Sequence, residues 1–135
     1  MKKILVIEDD YALGWLLRSI LSPKYEVVIM KNGMEAMEWL TDGNYPNLII
    51  SDLNMPFLDG VELLQNIRAS GFLRGIPVII LSCDLDPEKN RQCMALGAFK
   101  YVMKPFNPDT LMLEIGKVLG IHNIPKTTSI ALEKI

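Results

Sequence analysis

Four polar groups each follow a short apolar run, and their residue types suit phosphoryl transfer. The acidic triplet Glu8-Asp9-Asp10 follows the first such run, and Asp52, Ser82 and Lys104 follow three later ones. A carboxylate can attack phosphorus or hold a divalent cation, a hydroxyl can donate a hydrogen bond, and a lysine can neutralise charge on phosphoryl oxygens. This chemistry requires that the fold bring the four groups to one place.

The elements that must position them alternate along the chain. Strands are predicted over residues 3–7, 26–30, 47–51, 77–81 and 99–103, with helical apolar spacing between and after them. The runs at 48–50 and 78–81 are continuously apolar, which is typical of strands buried on both faces of a parallel sheet. The pattern predicts an α/β protein, a three-layer (βα)5 fold with a parallel five-stranded sheet.

The strand order 2-1-3-4-5 of flavodoxin-like folds matches this distribution of polar residues. Open α/β sheets bind ligands at the carboxyl ends of their strands, where all four groups would then lie. The second strand ends in Met30-Lys31-Asn32 and offers nothing comparable, so we expect it at the sheet edge. Strands about 4.8 Å apart would place Asp9 and Asp52 on neighbouring strands, and Lys104 within reach of Asp52.

Three carboxylates in such a pocket would repel one another. At about 4 Å and an effective dielectric constant near 20, each pair costs on the order of 4 kcal/mol. Protonation, a lysine or a divalent cation could relieve this repulsion, and carboxylate and carbonyl ligands favour Mg²⁺ over a nitrogen- or sulfur-seeking metal. Since the sequence contains neither GxxxxGK[ST] nor GxGxxG, the phosphoryl group must come from an outside donor.

Four segments of the chain resemble the receiver domains of two-component response regulators: residues 4–10, 51–60, 80–82 and 101–105. The resemblance implies a phosphoacceptor at Asp52 and a Mg²⁺ site formed by Glu8, Asp9, Asp52 and the main-chain carbonyl of Asn54. It further implies that Lys104 and Ser82 assist catalysis, that Ser82 and Tyr101 are switch residues, and that the Lys104-Pro105 bond is cis.

The same resemblance implies the partners of the protein. A histidine kinase or histidine phosphotransfer protein would supply the phosphoryl group, and the changed surface of helix 4, strand 5 and helix 5 would bind a downstream protein, which the sequence does not identify. A phosphorylation-dependent homodimer would also be compatible with the family. The resemblance also places Asn54 and Asp84 beside the route of the hydrolytic water, so both are expected to modulate dephosphorylation.

Other interpretations of the same residues remain open at this point. The chain could be a receiver-like docking or dimerisation module that works without phosphorylation. A flavin-binding flavodoxin-like protein is disfavoured because the loop after strand 1 is acidic, where a flavin phosphate would need hydroxyl and amide donors. Asp10, Asp59, Asp86 and Asn107 are interpreted as helix caps rather than as site residues.

Composition bounds the class of protein. The 135 residues are 50% apolar and 22% charged, with a formal charge of −2 and no basic block, which argues against direct nucleic-acid binding. The sequence contains no apolar run long enough for a membrane span, and Cys83 and Cys93 are expected to be reduced thiols, so we predict a cytoplasmic protein. Residues 1–120 would form the receiver domain and residues 121–135 a C-terminal tail or the start of a linker.

Overall fold

The computed structural model describes residues 1–120, in which strands and helices alternate. The strands are β1 (Lys3–Ile7), β2 (Glu26–Met30), β3 (Leu48–Asp52), β4 (Val78–Ser82) and β5 (Lys100–Met103). The helices are α1 (Tyr11–Leu21), α2 (Gly33–Thr41), α3 (Gly60–Ala69), α4 (Pro87–Ala95) and α5 (Pro108–Ile115), and a π-helical turn, Gly116–Gly120, continues α5. The predicted tail, residues 121–135, lies outside the described residues.

All five strands are parallel and lie in the order β2-β1-β3-β4-β5. The predicted fold and strand order are therefore confirmed, and β2 forms one edge of the sheet as expected. Each crossover contains a helix, so helices cover both faces of the sheet. The order reverses between β1 and β3, and it is here that Glu8 and Asp52 become neighbours.

Two strands end one residue later than the apolar pattern predicted. Asp52 pairs with Leu81 and is the last residue of β3, and Ser82 pairs with Met103 and is the last residue of β4. The predicted positions, directly after each strand, were wrong by one residue. The reason is that main-chain pairing continues past the apolar run, since the amide of Lys104 donates to the Ser82 carbonyl at 2.8 Å.

Alternate residues of the strands face two separate hydrophobic clusters. One cluster packs α2, α3 and α4 against one side of the sheet, and the other packs α1 and α5 against the opposite side. Leu17 and Leu21 of α1 form the apolar face that packs on the sheet and are fully buried, whereas Leu16 is 48% exposed. Its position lies at the margin of that face, where the stripe meets solvent.

The predicted caps are present at the ends of the loops that frame the site. The side chains of Asp10, Asp86 and Asn107 accept hydrogen bonds from main-chain amides at the starts of α1, α4 and α5, and Asp59 forms a capping box with Glu62 at α3. Helix α4 is the most polar helix, and Cys93 is its only buried residue. Fewer buried apolar contacts make α4 the helix most easily displaced.

Within residues 1–120, no helix combines the length and apolarity needed to span a lipid bilayer.

Candidate functional site

Three carboxylates converge where β1 and β3 end. Glu8, directly after β1, and Asp52, the last residue of β3, are both buried, while Asp9 is exposed. One oxygen atom from each of the three carboxylates lies within 4.8 Å of the others. The sequence-predicted acidic pocket is therefore present, at the switch point of the sheet where ligands bind in such folds.

Lys104 lies between the two buried carboxylates. Its Nζ atom is 3.1 Å from Oδ1 of Asp52 and 3.2 Å from Oε1 of Glu8. The lysine follows β5, and its long side chain reaches across the end of β4 to make these contacts. The Lys104-Pro105 peptide bond is cis, as the family resemblance implied.

Burial and charge determine the protonation of these groups. Burial, reinforced by the Asp52 charge, raises the pKa of Glu8 from 4.5 to about 7, although the amide of Asp10 and Lys104 act in the opposite direction. Burial lowers the pKa of Lys104, but its hydrogen bond to Asp52 and the charges of Glu8 and Asp52 outweigh this and raise the pKa overall. Lys104 is therefore a permanent cation in the pocket.

The main chain around Asp52 fixes the direction of its carboxylate. The amide of Leu53 donates to Oδ1 of Asp52 at 2.9 Å, so this oxygen has both an amide and the Lys104 ammonium as donors. The Ser51 hydroxyl donates to the Asp52 carbonyl at 2.9 Å. Because both of these donors contact Oδ1, Oδ2 is the carboxylate oxygen available for reaction.

Ser82, Asp84 and Tyr101 form a second group of contacts beside the carboxylates. Ser82 is fully buried, and its Oγ accepts a hydrogen bond from the Asp84 amide at 2.9 Å. The half-buried Tyr101 donates its hydroxyl to the Asp84 carbonyl at 3.2 Å, and burial raises the pKa of this phenol. The β4–α4 loop thus connects the Ser82 hydroxyl to the Tyr101 ring.

The two residues predicted to modulate dephosphorylation have different surroundings. Asn54 is exposed on the loop that follows β3. Oδ1 of Asp84 accepts a hydrogen bond from the Asp86 amide at 2.9 Å, and this turn leads into α4. The Asp84 carboxylate therefore shapes the start of α4 through one oxygen.

The donor set of the acidic pocket fits a hard divalent cation. All the grouped ligand atoms are carboxylate oxygens, and the one lysine leaves an excess of negative charge when the three acids are ionised. Few protein oxygens and an exposed Asp9 leave room for water ligands, which Mg²⁺ retains more readily than Ca²⁺ does. Glu8, Asp9 and Asp52 could hold such an ion.

A groove beside Asp9 was not anticipated from the sequence. It measures about 480 Å³ and is lined by Tyr11 and Trp15 of α1, together with Arg18 and Lys31. Tyr11 and Trp15 are 79% and 54% exposed. Their spacing of four residues, off the apolar face of α1, is the signal that could have revealed an exposed aromatic pair.

Comparison with known proteins decides the family. The family described as the response regulator receiver domain matches residues 4–116 of the chain. The chain belongs to this family. Receiver domains of this family are parts of two-component signalling systems. The acidic pocket of this receiver domain could bind a metal ion.

Individual relatives of this receiver domain differ in how much of their own length it covers. The probable transcriptional regulator ycf27 of Cyanophora paradoxa is 37% identical over 119 residues, which are 87% of this chain and 48% of the relative. The chain therefore spans about half the length of that relative. The chemotaxis protein CheY1 of Helicobacter pylori is 29% identical over 123 residues, covering 90% of this chain and 99% of CheY1.

A solved structure supports the same assignment. The chemotaxis response regulator CheY4 of Vibrio cholerae is 32% identical and superimposes on this receiver domain with a TM-score of 0.80. The match covers 88% of this chain and 99% of CheY4. Fold and family thus agree with the resemblance that the four sequence segments carried.

Proposed function

We propose that this receiver domain is a phosphorylation-dependent switch in which Asp52 accepts a phosphoryl group from a histidine kinase or histidine phosphotransfer protein. One observation supports the proposal above all others: Asp52 is a buried carboxylate whose Oδ1 is held by an amide and by Lys104, beside two further acids. A structural ion pair would need neither the additional acids nor the Ser82 hydroxyl at the end of the adjacent strand.

In the proposed reaction, an oxygen of Asp52 attacks the phosphorus of a phosphohistidine donor. The phosphorus–nitrogen bond breaks, its electron pair stays on the imidazole nitrogen, and an acyl phosphate forms on Asp52. The Lys104 ammonium, already within 3.2 Å of both buried acids, would move to a phosphoryl oxygen and neutralise its charge.

Glu8, Asp9, Asp52 and the main-chain carbonyl of Asn54 would hold Mg²⁺ during this reaction. The bound ion supplies positive charge that offsets the negative charge on the acids and on the phosphoryl oxygens. This role agrees with the oxygen-only donor set and with the excess of acids over Lys104.

Phosphorylation would then change the surface formed by α4, β5 and α5. The Ser82 hydroxyl would donate to a phosphoryl oxygen, which removes its Oγ from the Asp84 amide. Because the Tyr101 hydroxyl is bonded to the Asp84 carbonyl, this movement would reach the Tyr101 ring. The weakly anchored α4 suits such a two-state element.

A downstream protein, or a second copy of the receiver, would bind the changed surface. Residues 1–120 would act as the switching unit in the cytoplasm, where the kinase domains that phosphorylate such acceptors work. Asn54 and Asp84 would set the lifetime of the acyl phosphate.

The test is intact-mass analysis of the protein after incubation with Mg²⁺ and acetyl phosphate, a small phosphodonor. We expect one labile phosphoryl adduct on the wild-type protein, dependent on Mg²⁺, and none on Asp52→Asn. Equal labelling of Asp52→Asn would contradict the assignment. If neither protein were labelled by acetyl phosphate or by phosphorylated histidine kinases, a docking module that works without phosphorylation would be the better account.

A further inference from the structure

The start of α2 lies directly against the loop that joins β3 to α3, residues 53–59. A methyl group on the Cα atom of Gly33 would lie 2.5 Å from the Leu58 carbonyl oxygen and 2.9 Å from the Leu58 Cβ atom. Non-bonded carbon atoms normally stay about 3.5–4.0 Å apart. The left-handed glycines of residues 1–120 are Gly43 and Gly97, so Gly33 is required by close packing and not by its backbone angles.

The loop that Gly33 contacts is closed on itself at its base. The amide of Gly60 donates to the Leu53 carbonyl at 2.8 Å, which joins the two ends of the loop. A methyl group on Gly60 would lie 2.9 Å from the Asp52 carbonyl oxygen. Because the base of the loop packs this closely on the main chain of Asp52, a displacement of Leu58 would be transmitted to Asp52.

The tip of the loop holds a conformation that most residues avoid. Phe57 has a φ of 70° and its side chain is 77% exposed, so burial of the ring does not compensate for the strain. The Leu58 amide donates to the Pro56 carbonyl at 2.8 Å across this residue. Such a conformation persists only where the neighbouring structure enforces it, and the contact with Gly33 is one such constraint.

We propose that Gly33 is a positioning residue for the phosphoacceptor site. The N-terminus of α2 sets the position of the 53–59 loop through Leu58, and the loop in turn sets the Asp52 main chain and the Asn54 carbonyl. This inference rests on the proposed phosphoryl transfer at Asp52. It assigns to α2, a helix that contributes no side chain to the acidic pocket, control over the geometry of that pocket.

The test compares Gly33→Ala with two control variants. Gly14→Ala is the matched glycine control, because its methyl group would lie 3.8 Å from Ile29, an ordinary contact. Leu40→Ala is the control for lost stability, because it opens a cavity under α2 and adds no atom between Gly33 and Leu58. Two quantities are measured for each folded protein: the initial rate of labelling by acetyl phosphate, and the Mg²⁺ dissociation constant from amide chemical shifts.

We expect Gly33→Ala to be labelled about 10- to 100-fold more slowly than wild type, since misplacement by about 1 Å can have such an effect. Its Mg²⁺ dissociation constant should rise several-fold. Gly14→Ala should match wild type within about twofold in both measurements. Leu40→Ala should lower the melting temperature by at least as much as Gly33→Ala does while retaining wild-type Mg²⁺ affinity. Should Gly33→Ala itself fail to fold, Leu58→Ala is the second variant. It keeps the Leu58 carbonyl oxygen and Cβ atom but removes Cδ2, which would lie 3.2 Å from a methyl group on Gly33, so the loop loses part of its packing on α2 and Mg²⁺ binding should weaken.

Wild-type labelling and Mg²⁺ affinity in Gly33→Ala and Leu58→Ala would overturn the positioning role. Equal losses in Leu40→Ala would overturn it as well, because the effect would then follow from stability alone. Absence of labelling in the wild-type protein would count against phosphoryl transfer itself. The Mg²⁺ dissociation constants would then decide the positioning role independently, and unchanged values in Gly33→Ala and Leu58→Ala would refute it.

Discussion

The Nζ atom of Lys104 lies 3.1 Å from Oδ1 of Asp52, although β4 lies between β3, which ends in Asp52, and β5, which Lys104 follows. The same ammonium group contacts Glu8 at 3.2 Å. A single lysine thus holds two buried carboxylates in the site proposed for both a metal ion and a phosphoryl group. In the proposed reaction, Lys104 would compete with the cation before phosphorylation and would bind the phosphoryl group afterwards.

Lys104→Met should therefore change metal binding and labelling in opposite directions. Removal of the ammonium leaves two buried acids without their cation, so Mg²⁺ should bind roughly tenfold more tightly. Labelling of Asp52 by acetyl phosphate at saturating Mg²⁺ should become about 100-fold slower, because a charge that stabilises the transition state is lost. Lys100→Met, whose side chain is half exposed and pairs with Glu114, is the matched control. Weaker Mg²⁺ binding in Lys104→Met would contradict the competition between lysine and metal.

The raised pKa of Glu8 predicts a pH-dependent stability. In the absence of Mg²⁺ the folded protein binds the Glu8 proton with a pKa of about 7, whereas the unfolded chain binds it at 4.5. The folded state holds more protons between these values, so the Glu8 contribution lowers the free energy of unfolding as pH rises from about 4.5 to about 7. Above about pH 7 the stabilising contribution of the Glu8 proton is fully lost.

Urea unfolding of the metal-free protein at pH 5 and pH 8 measures this contribution. Glu8→Gln should remove most of the stability difference between the two pH values, and Glu88→Gln, at an exposed position on α4, should leave it unchanged. Added Mg²⁺ should stabilise the wild-type protein more at pH 8 than at pH 5, because the ion requires the ionised carboxylate. A Glu8→Gln protein with the full wild-type pH dependence would show that another group is responsible.

Ser82→Ala should separate phosphorylation from switching. The variant retains Asp52, Lys104 and the acidic pocket, so acetyl phosphate should still label it, within about tenfold of the wild-type rate. It lacks the hydroxyl that would leave the Asp84 amide for the phosphoryl group. Phosphorylation should therefore change amide hydrogen exchange in α4 far less than in wild type, and Ser82→Thr, which retains a hydroxyl, should restore the change. A wild-type exchange response in Ser82→Ala would exclude Ser82 as the switch hydroxyl.

The C-terminal end of α4 is held by Arg68 of α3. The Arg68 guanidinium donates to the carbonyl oxygens of Leu96 and Gly97, and also to those of Arg74 and Ile76, at 2.9–3.0 Å. Gly97 has a φ of 86°, and a methyl group there would lie 2.9 Å from Arg68 Nε. The C-terminal end of α4 is thus held while its N-terminal end adjoins the Asp84 turn.

Arg68→Met should reduce the free energy of unfolding by roughly 2–4 kcal/mol, because four carbonyl groups lose a charged donor. Amide exchange should accelerate first at Leu96 and Gly97. Arg91→Met is the matched control, since Arg91 is exposed and pairs only with Glu88 among the described residues; it should change stability by less than about 0.5 kcal/mol. Equal stability of the two variants would show that Arg68 does not hold α4.

Much of the site could be predicted because its residues lie at, or directly after, the carboxyl ends of strands. Glu8, Asp52, Ser82 and Lys104 each stand where an apolar run stops, and parallel strands bring all such positions to one edge. The alternation of strands and helices was sufficient to predict the parallel sheet, whereas the strand order came from matching the polar residues to the order of flavodoxin-like folds. Side-chain identity carries this information.

The contacts that could not be predicted involve main-chain atoms. Arg68 binds carbonyl oxygens, which every residue possesses, and Gly33 matters because another carbonyl lies against its Cα atom. No residue type marks either contact in the sequence. The turn that uses Oδ1 of Asp84 to shape the start of α4 was missed for the same reason, because its donor is the Asp86 amide.

The central claim, an acyl phosphate on Asp52, can be tested directly by chemical trapping. Borohydride reduces an acyl phosphate to an alcohol, so treatment after incubation with acetyl phosphate and Mg²⁺ should convert Asp52 to homoserine. Peptide mass mapping should then find the modification at position 52, and only when both acetyl phosphate and Mg²⁺ were present during the incubation. Modification at Asp9 or Asp84 with Asp52 unchanged would contradict the account.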